Sequence, residues 1–125
     1  LTAVTANEAE ALEASGLDHP LAAGRSLFRS LKPRTLLVTR GREGMICFAS
    51  GRADALAASG SRDAVDVTGA GDTVSAVLTL ALAAGGDPLE AARLANAAAG
   101  EVVMRPGAAT LTARELLEAA AKGNA

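Results

Sequence analysis

The feature that most constrains this chain is the turn at residues 66–73, whose sequence Asp-Val-Thr-Gly-Ala-Gly-Asp-Thr leads directly into the apolar run 74–84. The two glycines on either side of Ala70 allow positive φ and leave the backbone N–H groups of the turn uncovered by side chains. The apolar run is predicted to be helical, so the turn would lie at a helix N-terminus. Backbone amides and the helix macrodipole both favour an anion there. The sequence therefore predicts an anion site, with the carboxylate of Asp72 in the first turn of the helix.

Length and composition favour a single α/β domain. The chain has 125 residues, half of them hydrophobic and only two of them aromatic, so its core must be built from small and aliphatic side chains. A net charge of −2 provides no basic field that would attract nucleic acid or a membrane surface, and no run reaches the roughly 20 apolar residues of a membrane span. The single cysteine, Cys47, cannot form an internal disulfide, which predicts a reduced, cytoplasmic setting.

Short apolar runs alternate with helical patterns along the chain. Strands are predicted at 1–5, 35–39, 45–49 and 53–58, and helices at 8–14, 21–31, 70–84, 88–104 and 112–122. The run 35–39 is typical of a buried parallel strand, and ligands of open α/β sheets bind at the carboxyl ends of such strands. Taken by itself, however, the loop that follows is better explained as a glycine-bounded hairpin turn into 45–49.

Four other residues stand out. Asn7 and Glu10 have the spacing of a capping box, and a mutual cap explains them as well as a functional role does. Asn96 lies among small residues of an apolar helix, where a side-chain amide should have a partner. His19 is the only histidine, with no cysteine nearby, so we assign it no metal-binding role.

The common glycine motifs do not fit the turn at 66–73. A dinucleotide fingerprint would need Gly or Ala where Val74 stands, a P-loop would need a following Gly-Lys-Ser/Thr, and a nucleophile elbow would need Ser or Cys in place of Ala70. An anion cradle with an adjacent carboxylate remains. In phosphoryl transfer a carboxylate orients the attacking hydroxyl and accepts its proton, and Asp72 could be that base.

Residues 66–73 resemble the C-terminal signature of the ribokinase-like, or PfkB, family of sugar and nucleoside kinases. Three other stretches match the family in the same order: 7–10 is similar to its Asn-x-x-Glu motif, 38–41 to its strand-end nucleotide loop, and 95–100 to its adenine-side helix. The resemblance covers essentially the whole chain. It implies a three-layer α/β/α fold, of which this chain is the C-terminal part, with a mainly parallel sheet and helices on both faces.

The resemblance also implies roles for individual residues. Asp72 matches the catalytic base, and the amides of Gly69, Ala70 and Gly71 match an anion hole for the transferred phosphoryl group. The nucleotide contacts implied are Thr39, Gly41, Gly44, Thr68, Asn96 and Gly100.

Metal sites follow from the same resemblance. Asn7 and Glu10 match the motif that organises Mg²⁺ through water. Asp66, with carbonyls near Thr68 and Gly107, matches a K⁺ site found in many members. One departure is Ala6, which replaces the proline that usually precedes the asparagine and is expected to loosen that loop.

Within the family, residues 36–40, 67–74 and 95–100 are most similar to the kinase domain of bacterial bifunctional heptose 7-phosphate kinase/adenylyltransferases. The resemblance implies ATP-dependent phosphorylation of a sugar hydroxyl, first of all by a heptose 7-phosphate 1-kinase, with ATP and Mg²⁺ as cofactors. The alternatives are another ribokinase-like sugar or nucleoside kinase, or a non-catalytic nucleotide-binding or structural fragment.

Family members are longer than this chain, and their sugar-contacting residues and lid strands lie in a preceding half. Residues 1–125 are therefore expected to form one domain, the nucleotide-binding and catalytic half, which is inactive alone. The full-length protein is expected to be a cytoplasmic homodimer that binds a nucleotide and a phosphorylated sugar.

Overall fold

The computed structural model describes residues 3–58 and 70–103, and the chain divides into two compact units, 1–57 and 58–125. The first unit contains a four-stranded sheet in the order β1-β2-β3-β4. The strands are β1 (Ala3–Asn7), β2 (Thr35–Thr39), β3 (Met45–Ala49) and β4 (Arg52–Leu56). The helices are α1 (Glu8–Ser15) and α2 (Pro20–Leu31) in the first unit, and α3 (Ala70–Ala83) and α4 (Pro88–Val103) in the second.

The sheet is mixed. β1 pairs with β2 in parallel, whereas β3 pairs antiparallel with both β2 and β4. The α/β class predicted from the sequence is confirmed, and β2 and β3 have the predicted bounds. Among the described strands, only the pair that joins β1 to β2 is parallel.

β1 differs from its predicted bounds of 1–5, because its pairing with β2 continues to Asn7. Asparagine has a low strand propensity, and here the pairing with Thr39 overrides it. Ala6 consequently lies inside the strand, opposite Val38, and not in a loop. The last predicted helix, 112–122, lies outside the described residues.

One face of the sheet packs against α1 and α2. Leu36, Val38, Ile46 and Phe48 form a buried cluster with alanines from both helices. The rings of Phe28 and Phe48 lie 6.2 Å apart between centroids, in a tilted arrangement. This separation is within the range of favourable aromatic pairs.

Residues on the opposite face of the two central strands are buried as well. Leu37 and Cys47 are paired across β2 and β3, and their exposed fractions are 0% and 1%. Because successive side chains in a strand point to opposite faces, burial at consecutive positions means that neither face of β2 or β3 is open to solvent. The prediction of a buried strand at 35–39 is confirmed.

α2 contains a glycine at the point where it approaches the sheet. A Cβ atom at Gly24 would overlap the ring of Phe48, which is itself buried. Glycine normally weakens a helix interior, so its presence here reflects the close packing of α2 on β3. His19 caps the N-terminus of this helix, and its Nδ1 accepts a hydrogen bond of 3.2 Å from the N–H of Leu21. The sequence had suggested no role for this histidine.

In the second unit, α3 and α4 pack against each other. α3 contributes Val74, Val77, Leu78 and Leu82 to the buried surface, at the spacing of one helical face. α4 contributes small side chains, Ala91, Ala92, Ala95, Ala97 and Ala98. The predicted break between the helices is confirmed: Gly85 has φ of 89°, and Asp87 Oδ2 accepts a 3.1 Å bond from the N–H of Leu89. None of the helices in the described part of the chain combines the length and apolarity needed to cross a membrane.

The contact between Gly24 and Phe48 can be tested by a double-variant cycle. We expect Gly24→Ala to lower the free energy of unfolding by about 1–3 kcal/mol, because the added methyl group overpacks the core. In a Phe48→Leu background the same change should be neutral or stabilising by up to about 1 kcal/mol, since alanine is the better helix former. Urea unfolding of the four proteins measures both effects. Equal effects of Gly24→Ala in the two backgrounds would contradict this explanation.

Candidate functional site

The candidate site of the first unit lies at the carboxyl ends of β1 and β2. These strands are parallel, and Asn7 is the register partner of Thr39. The pairing therefore brings the last residue of each strand to the same edge of the sheet. Ligands of α/β proteins commonly bind outside this edge.

Asn7 and Glu10 fix the direction in which the chain leaves β1. The N–H of Asn7 donates to Glu10 Oε1 at 2.9 Å, and the N–H of Glu10 donates to Asn7 Oδ1 at 2.8 Å. The capping box suggested by the spacing is thus confirmed. Both residues are exposed, so the cap leaves their side chains accessible from solvent.

The same two side chains are the predicted Mg²⁺ residues. No group of three or more acidic, histidine or cysteine side chains that could hold a metal occurs within residues 3–58 and 70–103. An exposed amide oxygen and an exposed carboxylate nevertheless fit a hydrated Mg²⁺, which keeps several of its waters and needs few direct protein ligands. The donor set fits a cation bound through water, and the metal role of Asn7 and Glu10 stays a prediction.

The loop after β2 closes on itself. The N–H of Arg40 donates to the carbonyl of Gly44 at 2.8 Å, and the N–H of Gly44 donates to the carbonyl of Gly41 at 3.1 Å. Both glycines have positive φ, 56° at Gly41 and 93° at Gly44, which explains why glycine occupies each position. The chain then returns antiparallel as β3, so the hairpin interpretation is confirmed.

The hairpin is compatible with a ligand-binding role, because its loop lies at the carboxyl end of β2, where ligands of α/β proteins commonly bind. Thr39 is half-buried and Gly41 is exposed. A Cβ atom placed on Gly41 would meet no described atom within 4 Å, so the surface of the loop is open there. The nucleotide role of Thr39, Gly41 and Gly44 stays a prediction.

One charged pair at this edge was not singled out from the sequence. Arg40 Nε lies 3.9 Å from Glu8 Oε1, which links the residue after β2 to the first residue of α1. The distance exceeds that of a hydrogen bond, and Arg40 Nε is buried without a hydrogen-bond partner among the described residues. A charged residue immediately after a buried strand was the available signal in the sequence.

In the second unit, the predicted catalytic residues begin α3. Ala70 is its first residue, followed by Gly71 and Asp72. Asp72 is exposed and lies in the first turn, near the positive end of the helix dipole. Gly71 is also exposed, and a Cβ atom there would meet nothing within 4 Å among the described residues. Gly69, together with the predicted cation and nucleotide residues Asp66, Thr68 and Gly107, lies outside the described residues.

The two predicted adenine-side residues lie on α4. Asn96 is half-buried between the buried residues Ala95 and Ala97, and Gly100 is buried one turn further on. Residues four apart share one face of a helix, so Asn96 and Gly100 are neighbours on the same surface.

Comparison with known proteins gives a consistent set of relatives. The model of the family described as "pfkB family carbohydrate kinase" matches residues 1–115. Bifunctional protein HldE from Caulobacter sp. (strain K31) is 43% identical over 122 residues, which cover 93% of this chain and 25% of that protein. The protein of the same name from Chromohalobacter salexigens is 50% identical over 96 residues, covering 77% of this chain and 20% of that protein. The chain thus spans a quarter or less of the length of these two relatives.

Solved structures show a similar fold. Ribokinase from Thermotoga maritima superposes with a TM-score of 0.83 at 30% identity, covering 98% of this chain and 42% of that one. Arabidopsis thaliana ribokinase, complexed with ribose and ATP, gives 0.81 at 25% identity, with 96% and 41% covered. Phosphofructokinase-2 from Escherichia coli, in complex with potassium, gives 0.88 at 19% identity, with 100% and 42% covered, and this likeness concerns the fold alone.

The family match extends over nearly the whole chain and is supported by relatives well above 30% identity. The superposed ribokinases have the same α/β architecture. The chain therefore belongs to the pfkB family of carbohydrate kinases.

Proposed function

We propose that residues 1–125 are the nucleotide-binding and catalytic half of an ATP-dependent carbohydrate kinase. The observation that carries the proposal is the position of Asp72, an exposed carboxylate in the first turn of α3, directly after the glycine-rich turn of a pfkB family chain. A carboxylate next to an anion-binding helix start suits a base that accepts the proton of an attacking hydroxyl.

The proposed reaction assigns each group one task. A sugar hydroxyl attacks the γ-phosphorus of ATP, its proton passes to the carboxylate of Asp72, and the bond to ADP breaks. The amides of Gly69, Ala70 and Gly71 stabilise the charge on the phosphoryl oxygens in the transition state. Catalysis of this kind depends mainly on positioning and electrostatic stabilisation, because phosphoryl transfer requires little covalent chemistry from the protein.

The remaining predicted residues have binding roles in the proposal. The nucleotide would be held by Thr39, Gly41, Gly44, Thr68, Asn96 and Gly100. Asn7 and Glu10 would hold Mg²⁺ through water, and the bound ion would neutralise phosphate charge. Asp66, with carbonyls near Thr68 and Gly107, would bind K⁺, in line with the potassium complex of the structurally similar Escherichia coli phosphofructokinase-2.

For the sugar, we propose a heptose 7-phosphate phosphorylated at its 1-hydroxyl. The proposal rests on the resemblance to heptose 7-phosphate kinases and on the 43–50% identity to proteins named bifunctional protein HldE. We further propose a cytoplasmic enzyme that is a homodimer as a full-length protein. The 125-residue chain spans 41–42% of the superposed ribokinases, so by itself it is expected to bind nucleotide without turnover.

The first test concerns the base. In the protein expressed from its complete reading frame, Asp72→Asn should lower kcat by about 10²–10⁴-fold and leave the KM for ATP nearly unchanged, since the amide cannot accept the proton. Glu90→Gln is a matched control, because Glu90 is also an exposed acidic residue in the first turn of a helix. Steady-state kinetics with ATP and heptose 7-phosphate measure both. Near-normal turnover of Asp72→Asn would remove Asp72 from the role.

The second test separates the cap from the metal role. Glu10→Gln keeps a side-chain oxygen that accepts the N–H of Asn7, so the thermal midpoint should stay the same. The loss of charge should raise the Mg²⁺ concentration needed for half-maximal activity by roughly tenfold or more, as expected for a residue that orders a metal's surroundings.

Glu13→Gln provides the control for this test, since it removes an exposed carboxylate from the same helix. A Glu10→Gln protein with an unaltered Mg²⁺ requirement would leave this residue with its capping function alone.

A further inference from the structure

Arg40 has an unsatisfied donor at the edge of the sheet. Its Nε is buried and has no hydrogen-bond partner among the described residues. Glu8 Oε1 lies 3.9 Å from it, beyond the 2.7–3.2 Å range of an N–H···O hydrogen bond. Buried donors without a partner are rare in folded proteins and call for an explanation.

The backbone of Arg40 leaves only the side chain available to a ligand. Its N–H donates to the carbonyl of Gly44 at 2.8 Å, and its carbonyl accepts the N–H of Glu43 at 3.1 Å. The main chain at this point is therefore held by its own loop. Although Nε is covered, the side chain as a whole keeps 30% of its surface exposed, so a molecule bound outside the strand end can reach part of it.

The chemistry of the group indicates the kind of ligand. A guanidinium is always charged, and its planar set of donors matches the oxygens of a phosphate. Arg40 follows directly after β2, whose carboxyl end is next to that of the parallel strand β1. With a net charge of −2, the chain has no general attraction for anions, so a phosphate must be recruited by local groups.

We propose that Arg40 binds the phosphate chain of the nucleotide in place of its distant contact with Glu8. The inference rests on the proposed function, because it needs a nucleotide at this edge. On phosphate binding the Arg40 side chain turns away from Glu8, and its guanidinium N–H groups gain the hydrogen-bond acceptor that Glu8 does not provide at 3.9 Å.

If Arg40 had only a structural role, the variants of Arg40 and Glu8 would affect ligand binding differently from the pattern expected for a phosphate contact. If Arg40 served only to tie the start of α1 to the end of β2, removal of either member of the pair would have the same effect. If Arg40 contacts phosphate, only its own removal weakens the binding of phosphorylated ligands. Adenosine lacks phosphate and should bind equally well in either case.

The test is calorimetric titration with ADP and with adenosine, using the protein expressed from its complete reading frame. Arg40→Met should weaken ADP binding by about tenfold or more, as expected for the loss of a charge-assisted hydrogen bond, and leave adenosine affinity unchanged. Glu8→Gln should bind ADP as tightly as the wild type or more tightly, because it removes a competing negative charge. Arg34→Met removes an exposed arginine at the opposite end of β2, and this matched control should leave both affinities unchanged.

The outcomes separate this inference from the proposed function. Wild-type protein that binds neither ADP nor ATP would refute both. Wild-type binding of ADP with unchanged affinity in Arg40→Met, or with equal losses in Arg40→Met and Glu8→Gln, would overturn the role of Arg40 alone. If Arg40→Met does not fold, Arg40→Gln, which keeps a polar side chain without the charge, decides: weaker ADP binding with unchanged adenosine binding supports the phosphate contact, and wild-type ADP affinity refutes it.

Discussion

Asn7 pairs with Thr39 in the parallel ladder between β1 and β2, and this pairing positions every candidate residue of the first unit. It brings two carboxyl strand ends to one edge of the sheet, so that the chain segments leaving both strands begin side by side. α1 starts at once after β1, where the mutual bonds of Asn7 and Glu10 fix its first turn. The hydrogen-bonded loop after β2 presents Arg40 and Gly41 at the same edge. A slip of one residue in the register would turn the apolar side chains of β2 away from α1 and α2.

The burial of apolar side chains stabilises this register, and the candidate ligand-binding residues follow where the buried part of β2 ends. In β2 the first four residues are buried and the fifth, Thr39, is half-buried. β2 thus contributes most of its length to the core and leaves its last residue near solvent. The same division appears in α3, where Val74, Val77 and Leu78 are buried and Asp72, in the first turn, is exposed. Rigid, buried elements that carry polar residues at their ends are a general way to hold binding groups in place.

Local signals in the sequence were sufficient for much of this architecture. The apolar runs at 35–39 and 45–49 have the bounds of β2 and β3, and Asp87 with Pro88 correctly marks the start of α4. Helix caps and hydrophobic runs depend only on residues close together in the chain, so they can be recognised in the amino-acid sequence.

Features that depend on tertiary contacts could not be predicted in the same way. The extension of β1 to Asn7 arises from pairing with a strand distant in sequence. The glycine in α2 is explained only by the ring of Phe48. The approach of Arg40 to Glu8 likewise follows from the parallel register and from no local pattern. The catalytic and metal roles came from motif resemblance to a kinase family, and geometry alone does not assign them.

We propose that the loop after β2 binds a nucleotide and that the first turn of α3 carries the catalytic carboxylate. The most direct measurement is a titration of the protein with ADP and Mg²⁺, followed through the backbone amide chemical shifts in NMR spectra. We expect the largest changes at residues 39–44 and 70–73, with little change at the turn between β3 and β4. Saturable binding that leaves the amides of residues 39–44 and 70–73 unperturbed would contradict the proposal.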